Sequence, residues 1–278
     1  MTDQGKNNEV TKFDPNRLFF TVYAPDLNTA LQFSPDALKS WSRCRRQYYY
    51  KHVKRLQWPS DIRHFNLGQN VHKLLDYQSR GLNCDRLVTY ASQNVQQIWR
   101  KLMADRIPHL PIVANEWAFH TPVSILDGPP VWLTGRIDRV ALETDEHGQQ
   151  RLLVIDWKTG TGIPKNPITD WQTRVYLFSV LAAAQGVSSA DLGLNLNGKA
   201  LTAEQIAFVF VEIKADDVTP VRTVRLPYTQ AQHEATRKIL ESTLADIIAE
   251  QAHPLPANGI CPDRYCAYSH ICGIIKPE

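Results

Sequence analysis

Asp138, in GRIDRV, and Asp156 and Lys158, in LLVIDWKTG, place two carboxylates and one ammonium at the ends of two strand-like runs. Those groups suit the cutting of phosphodiesters. Hydrolysis at neutral pH needs a hard cation that neutralises the phosphate and acidifies a water, and carboxylate oxygens are the ligands such cations prefer. Side chains alternate along a strand with a period of two, so Asp156 and Lys158 project to one face. The lysine would there orient the attacking water or offset charge on phosphorus. An Asp-x-Lys pair is also common as a solvated pair on exposed strands. Here Val154 and Ile155 precede it in a run too apolar for an exposed edge, and charges ending a buried strand need a reason.

The elements that position these residues read as follows. Residues 1–33 form an irregular segment with one short strand, and residues 34–278 form a single domain. Ser34 and Pro35 supply an N-cap and an N1 proline for a helix to Lys51, with Leu38, Trp41, Cys44 and Tyr48 on one face. A second helix, Leu67–Ser79, carries Val71, Leu74 and Gln78 as its stripe with His72 beside it, and a third runs from Asp85 to Asp105. Strands over 113–123, 131–143 and 151–157 follow as an antiparallel meander. A helix over 169–185, with Gln172 and Tyr176 one turn apart, leads to the buried strand IAFVFVEI, a short strand at 221–226, a helix over 229–250 and a cysteine-bearing tail. This order predicts a mixed α/β domain, a central mixed sheet flanked by helices.

The bulk numbers are those of a globular protein: 278 residues, 43% hydrophobic, 21% charged and a net charge of +3. Such a small charge does not by itself announce a nucleic-acid binder, but residues 34–60 hold seven Lys or Arg against one acid. Arg43, Arg45, Arg46, Lys51, Lys54 and Arg55 alternate there with Tyr48, Tyr49, Tyr50 and Trp58. Single-stranded nucleic acid favours that mixture, and a solvated helix face is the alternative. The polar N-terminus lacks the apolar core of a secretory signal and no run is long enough to cross a bilayer, so the expected setting is cytoplasmic, with no membrane partner. In a reducing compartment five cysteines point to metal ligation over disulfides.

Taken together and in order, the motifs resemble the RecB-like branch of the PD-(D/E)XK nuclease superfamily. They are Gly68 and His72; Gly135, Asp138 and Arg139; Asp156 to Gly160; and Gln172 and Tyr176. The resemblance implies a restriction-endonuclease-like core preceded by a helical region. It implies that His72, Asp138 and Asp156 bind Mg²⁺ or Mn²⁺, with the Trp157 carbonyl as a further ligand, and that Asp138, Asp156 and Lys158 are the catalytic set. Gln172, Tyr176 and Arg139 would then contact the DNA backbone or brace the site. Glu116, in the preceding strand, either joins the site or is a surface acid.

Cys261, Cys266 and Cys272 fall within the tail CPDRYCAYSHIC, and Cys44 lies far upstream. Four thiolates suffice for an iron–sulfur cluster, for tetrahedral zinc, or for no metal at all. AddB-type subunits and CRISPR-associated single-strand exonucleases are similar in pairing one upstream cysteine with three near the C-terminus, which implies a structural 4Fe-4S cluster here. The interval between Cys261 and Cys266 is wider than theirs. Cys84 is left as a packing residue. The combined expectation is a metal-dependent DNA nuclease, an exonuclease on single strands or ends, in repair, recombination or defence. An inactive DNA-binding module of the same fold and an endonuclease with the same site are the rivals. The chain has no GxxxxGK[ST] loop, so any unwinding would fall to a separate helicase partner.

Overall fold

A computed structural model describes residues 31–57, 62–125, 128–160, 162–185, 200–216, 218–250, 253–254, 261 and 266–272. Trp58 and residues 1–30 lie outside this set.

Six strands form one mixed sheet: β1 (Leu31–Phe33), β2 (Ile112–Val123), β3 (Val131–Thr144), β4 (Gln150–Lys158), β5 (Ile206–Glu212) and β6 (Arg222–Pro227). Its helices are α1 (Pro35–Arg43), α2 (Arg45–Tyr48), α3 (Ile62–Ser79), α4 (Asp85–Thr89), α5 (Gln93–Ala104), α6 (Trp171–Gln185), α7 (Gln230–Ala249) and α8 (Ser269–Cys272). Strand order is β1-β3-β4-β5-β6, with β2 along the opposite edge of β3. The β1–β3 and β4–β5 pairs are parallel and the others antiparallel. The first of these strands precedes Ser34: the segment over 1–33, expected to be irregular with one short strand, contributes Leu31–Phe33 to the sheet.

β4 is buried on both faces because its neighbours are continuous and apolar. Leu152 and Val154 meet Phe208 and Phe210 under α1, α6 and α7, while Leu153, Ile155 and Trp157 meet Val209 and Val211 under α3 and α5. Ser34 caps α1 as its sequence requires, its side chain accepting from the Ala37 amide at 3.2 Å.

Two helices expected to be continuous are broken. The one from Ser34 stops at Arg43; Cys44 is extended (φ −164°, ψ 119°), and the chain restarts as α2 and a π-helical turn over Tyr49–Val53. Cys44 therefore leaves the Leu38–Trp41 face and is only half-buried. The helix expected over 85–105 divides into α4 and α5, and Gln96 Nε2 donates to the freed Thr89 and Ala91 carbonyls at 3.3 and 2.9 Å. Among the described residues no helix is long and apolar enough to cross a membrane.

Candidate active site

β3 is longer than its partners, and the site grows from that mismatch. One edge is covered by β2; the other is shared, β1 taking residues 131–133 and β4 taking residues 139–144. Pairing with β4 ends at Arg139↔Ile155, while β4 continues beside β5 through Lys158. Beyond that point the two strands part, and the chemistry-bearing residues lie on either lip of the opening. The Trp157 amide, which an uninterrupted ladder would bond to β3 backbone, donates instead to Asp138 Oδ2 at 2.9 Å.

On the α3 side, His72 is the hub. Its Nε2 lies 3.3 Å from the Trp157 carbonyl, and its Nδ1 lies 3.5 Å from Asp138 Oδ1 and 3.7 Å from Glu116 Oε1. His72, Glu116 and Asp138 each offer a ligand atom within 4.8 Å of the others. Burial alone would lower the imidazole, but hydrogen bonds to Asp138 and Glu116, reinforced by their charges, outweigh it and raise the group to about 10.

Glu116 reaches this centre through its backbone. It stands opposite Asp138, between the registered pairs Asn115↔Arg139 and Trp117↔Ile137, and adopts a left-handed φ of 47° that a glutamate rarely takes. Neighbouring strand residues normally face opposite ways. Here Asn115 and Glu116 both reach α3, through Asp76 and His72 respectively. The left-handed turn breaks the alternation and adds the acid to the site.

Asp156 and Lys158 occupy the other lip, toward α6. Lys158 Nζ lies 2.8 Å from Asp156 Oδ2 and donates to Gln172 Oε1 at 3.0 Å, while Gln172 Nε2 donates to Asp156 Oδ1. The α6 amide thus holds acid and amine together. Burial, then the charge of Asp138, pushes the Asp156 carboxyl up to about 6 against the pull of Lys158. Its Oδ2 is buried and has the Lys158 ammonium as its neighbour, at an angle that makes no hydrogen bond. Asp156 is not within the 4.8 Å cluster, where Glu116 stands instead. One imidazole and two clustered carboxylates, with the Asp156 carboxylate nearby, fit a Mg²⁺- or Mn²⁺-type ion.

Of the two roles expected for Arg139 and Tyr176, backbone contact or bracing, their hydrogen bonds are of the bracing kind. Arg139 is fully buried: Nε donates to Asn115 Oδ1 at 3.0 Å, and Nη1 and Nη2 donate to the Pro108 and Leu75 carbonyls, each at 2.9 Å. It is a brace between β3 and the α3 layer, with its side chain out of solvent. Tyr176 is also buried, and its hydroxyl donates to the Arg136 carbonyl at 2.6 Å. Gln172 lines a cavity of about 340 Å³ with Tyr176, Gly135, Lys39 and Asp170 on the α1–α6 side. Four cations of the basic patch have contacts within the chain. Arg45 pairs with Glu250 at 2.7 Å, Lys51 with Asp36 at 2.7 Å, and Arg46 and Lys54 lie over Tyr50 and Tyr49.

Sequence reading missed Asn115 and Asp76, which steady Arg139 and carry no motif. It also missed Arg136, although strand alternation from Asp138 places it on the same lip.

The cysteine tail packs as a separate cluster of Cys261, Cys266 and Tyr268 against Tyr50 and Cys272. Gln47, in the helix that starts after Cys44, approaches Cys266 Sγ at 3.9 Å, which brings α2 beside this cluster. Among the described residues no three of these sulfurs lie within 4.8 Å of one another. Cys84 is buried apart from them against Leu74, its thiol donating to that carbonyl at 3.5 Å.

Residues 32–273 match the family model described as PD-(D/E)XK nuclease superfamily. The chain belongs to that superfamily. PD-(D/E)XK nucleases are phosphodiester hydrolases that use divalent metals, and the donors around His72 provide this nuclease with a place for one. No curated protein matches the sequence. Solved structures similar to this PD-(D/E)XK nuclease include the crystal structure of SSO0001, at 14% identity and a TM-score of 0.40, covering 90% of this chain and 88% of that one. Another is a Eubacterium rectale protein named "Putative exonuclease", at 10% identity and a TM-score of 0.46, covering 89% of this chain and 86% of that one.

Proposed function

We propose that this PD-(D/E)XK nuclease is a cytoplasmic deoxyribonuclease of the RecB-like branch that degrades single-stranded or end-containing DNA as an exonuclease in repair, recombination or defence. One observation carries the catalytic reading: where the β3–β4 pairing ends, His72, Glu116 and Asp138 cluster, and the charges of Asp138 and His72 act on Asp156, which is itself paired with Lys158. The DNA and exonuclease parts rest on the ordered motif likeness to that branch.

His72, Glu116, Asp138 and Asp156 would hold the cation, with the Trp157 carbonyl beside them. Mg²⁺ or Mn²⁺ supplies there the Lewis acidity that phosphodiester hydrolysis needs. Lys158, steadied by Gln172, directs its free N–H groups toward the phosphate oxygen on which charge develops or toward the incoming water. Gln172 fixes the acid and the amine in one geometry, so neither has to be ordered at the moment of reaction.

Cys44, Cys261, Cys266 and Cys272 would ligate a 4Fe-4S cluster that ties α2 to the tail, zinc being the alternative occupant. Its role would be structural, closing the chain around the core. Unwinding of duplex would fall to a separate helicase.

Cleavage of labelled single- and double-stranded, linear and circular DNA in titrated Mg²⁺ or Mn²⁺ tests the function. Wild-type protein should digest linear single strands and spare circles, and Asp156→Ala and Lys158→Ala should be silent. Wild type no more active than those variants leaves a binding module, and cutting of circles makes it an endonuclease. Anaerobically purified protein should be brown and bleach in Cys266→Ser; colourless protein with stoichiometric zinc refutes the cluster.

A further inference from the structure

A cavity of about 650 Å³ opens from the His72 side of the site, between α3 and β3. Its lining includes His72 and Glu116 at the floor and Lys73, Asp76, Arg80 and Arg136 around them. The charges there are not equally matched. Arg80 pairs with Asp76 at 2.7 Å, and Asp76 also accepts from Asn115. Lys73 is exposed and, among the described residues, has no ion-pair partner. The Arg136 side chain is 66% exposed and has one long contact, 3.7 Å to Glu116 Oε2. Glu116 is itself a candidate cation ligand, so ion binding would draw it away from Arg136.

The backbone under Arg136 is held firmly. Tyr176 grips its carbonyl at 2.6 Å, and the Phe119 ring packs on Gly135 so closely that a Cβ there would lie 2.7 Å from it. The guanidinium is thus an exposed tip on a fixed base, beside the cation site, with Lys73 on the other wall of the same cavity. An unpaired ammonium and a guanidinium with one long contact, flanking such a site, match a phosphodiester, whose oxygens take bidentate bonds from a guanidinium and a point charge from an ammonium.

We propose that Arg136 and Lys73 form a phosphate subsite, which holds the strand to be cut by a backbone phosphate next to the reacting one. This rests on the nuclease reading and adds the path of the strand, which then runs along α3 and away from the tyrosine-rich segment after Arg43. Arg136 and Lys73 touch substrate, and Tyr176 acts through Arg136 as a positioning residue.

Binding of a fluorescent single-stranded DNA oligonucleotide, followed across KCl concentrations in full-length protein carrying Lys158→Ala to suppress cleavage, tests it. Arg136→Ala should weaken binding about tenfold at low salt. It should also flatten the plot of log K against log salt by about 0.7, one phosphate contact on a single strand. Arg136→Lys should keep the slope while losing part of the affinity, and Lys73→Ala should flatten it as Arg136→Ala does. Lys54→Ala, whose charge lies over Tyr49, should change neither. Thermal midpoints equal to the parent's show that each variant folds. A folded Arg136→Ala protein with the parent slope, in a chain whose Lys158-intact form cleaves, overturns the subsite alone. A parent that neither binds nor, with Lys158 restored, cleaves overturns both the subsite and the nuclease reading.

Discussion

The Asp138 carboxylate accepts the Trp157 backbone amide at 2.9 Å, so one side chain both ends the β3–β4 ladder and faces the His72 cluster. Its two oxygens divide the work: Oδ2 satisfies β4, and Oδ1 points to His72. Asp138→Asn can keep the first task, since an amide oxygen still accepts from Trp157, but it loses the charge a cation needs. We expect stability within about 1 kcal/mol of wild type by urea unfolding. Cleavage should fall at least about 100-fold, as for loss of a charged ligand. Asp138→Ala should add a stability loss of about 1–3 kcal/mol, because the Trp157 N–H is left unpaired.

His72 predicts a pH dependence for the metal-free protein. Its folded-state pKa, about 10, lies above the unfolded value near 6.5, so its contribution to stability is complete below the unfolded pKa and is lost as pH rises through about 10. Melting of metal-free wild type should therefore decline over that window, and His72→Ala should flatten the decline. Ion binding must displace the proton, so Mn²⁺ affinity should rise by about tenfold per pH unit across the same range, with proton uptake by the buffer seen in calorimetry. Affinity independent of pH would remove His72 from the ligand set.

Arg139→Ala tests whether a buried brace or a substrate contact has been identified. Three acceptors, Asn115 Oδ1 and the Pro108 and Leu75 carbonyls, would lose their donor in the interior. Unfolding in urea should show a loss of about 3–5 kcal/mol, comparable to breaking a buried charged network. Arg139→Lys should recover little of it, because an ammonium cannot span three acceptors arranged for a planar fork. A normally stable variant with impaired DNA binding would restore the substrate role.

Gln172→Ala frees both Asp156 and Lys158 from the α6 amide. Misplaced catalytic groups reduce turnover more than binding, so kcat should fall about 10- to 100-fold with KM changed little. A rise in KM at constant kcat would mean that the amide meets substrate.

Where local rules suffice, the chain declares itself. Ser34–Pro35 starts α1 because cap chemistry is settled within four residues. Asp156 and Lys158 share a face because a strand alternates with period two, and the apolar run before them makes β4 central. The break at Cys44 and the division of α4 from α5 were not legible, since the tyrosine contacts and the freed carbonyls that stabilise them belong to packing.

Residue types and spacing alone determined that this protein would carry acids and an amine on a mixed sheet and an imidazole on a helix, in an order that resembles the PD-(D/E)XK nucleases. Tertiary structure decided which of them meet. Glu116 joins His72 and Asp138 because a left-handed φ turns it out of alternation, and Asp156 stands across the opening because β3 and β4 part after Arg139. Arg139 is fully buried, and Arg136 is exposed at the rim with a 3.7 Å contact to Glu116. The physical reason is the same in each case: the direction of a side chain beyond its own strand is set by which neighbours complete the hydrogen bonds and charges around it, and those neighbours are distant in the chain.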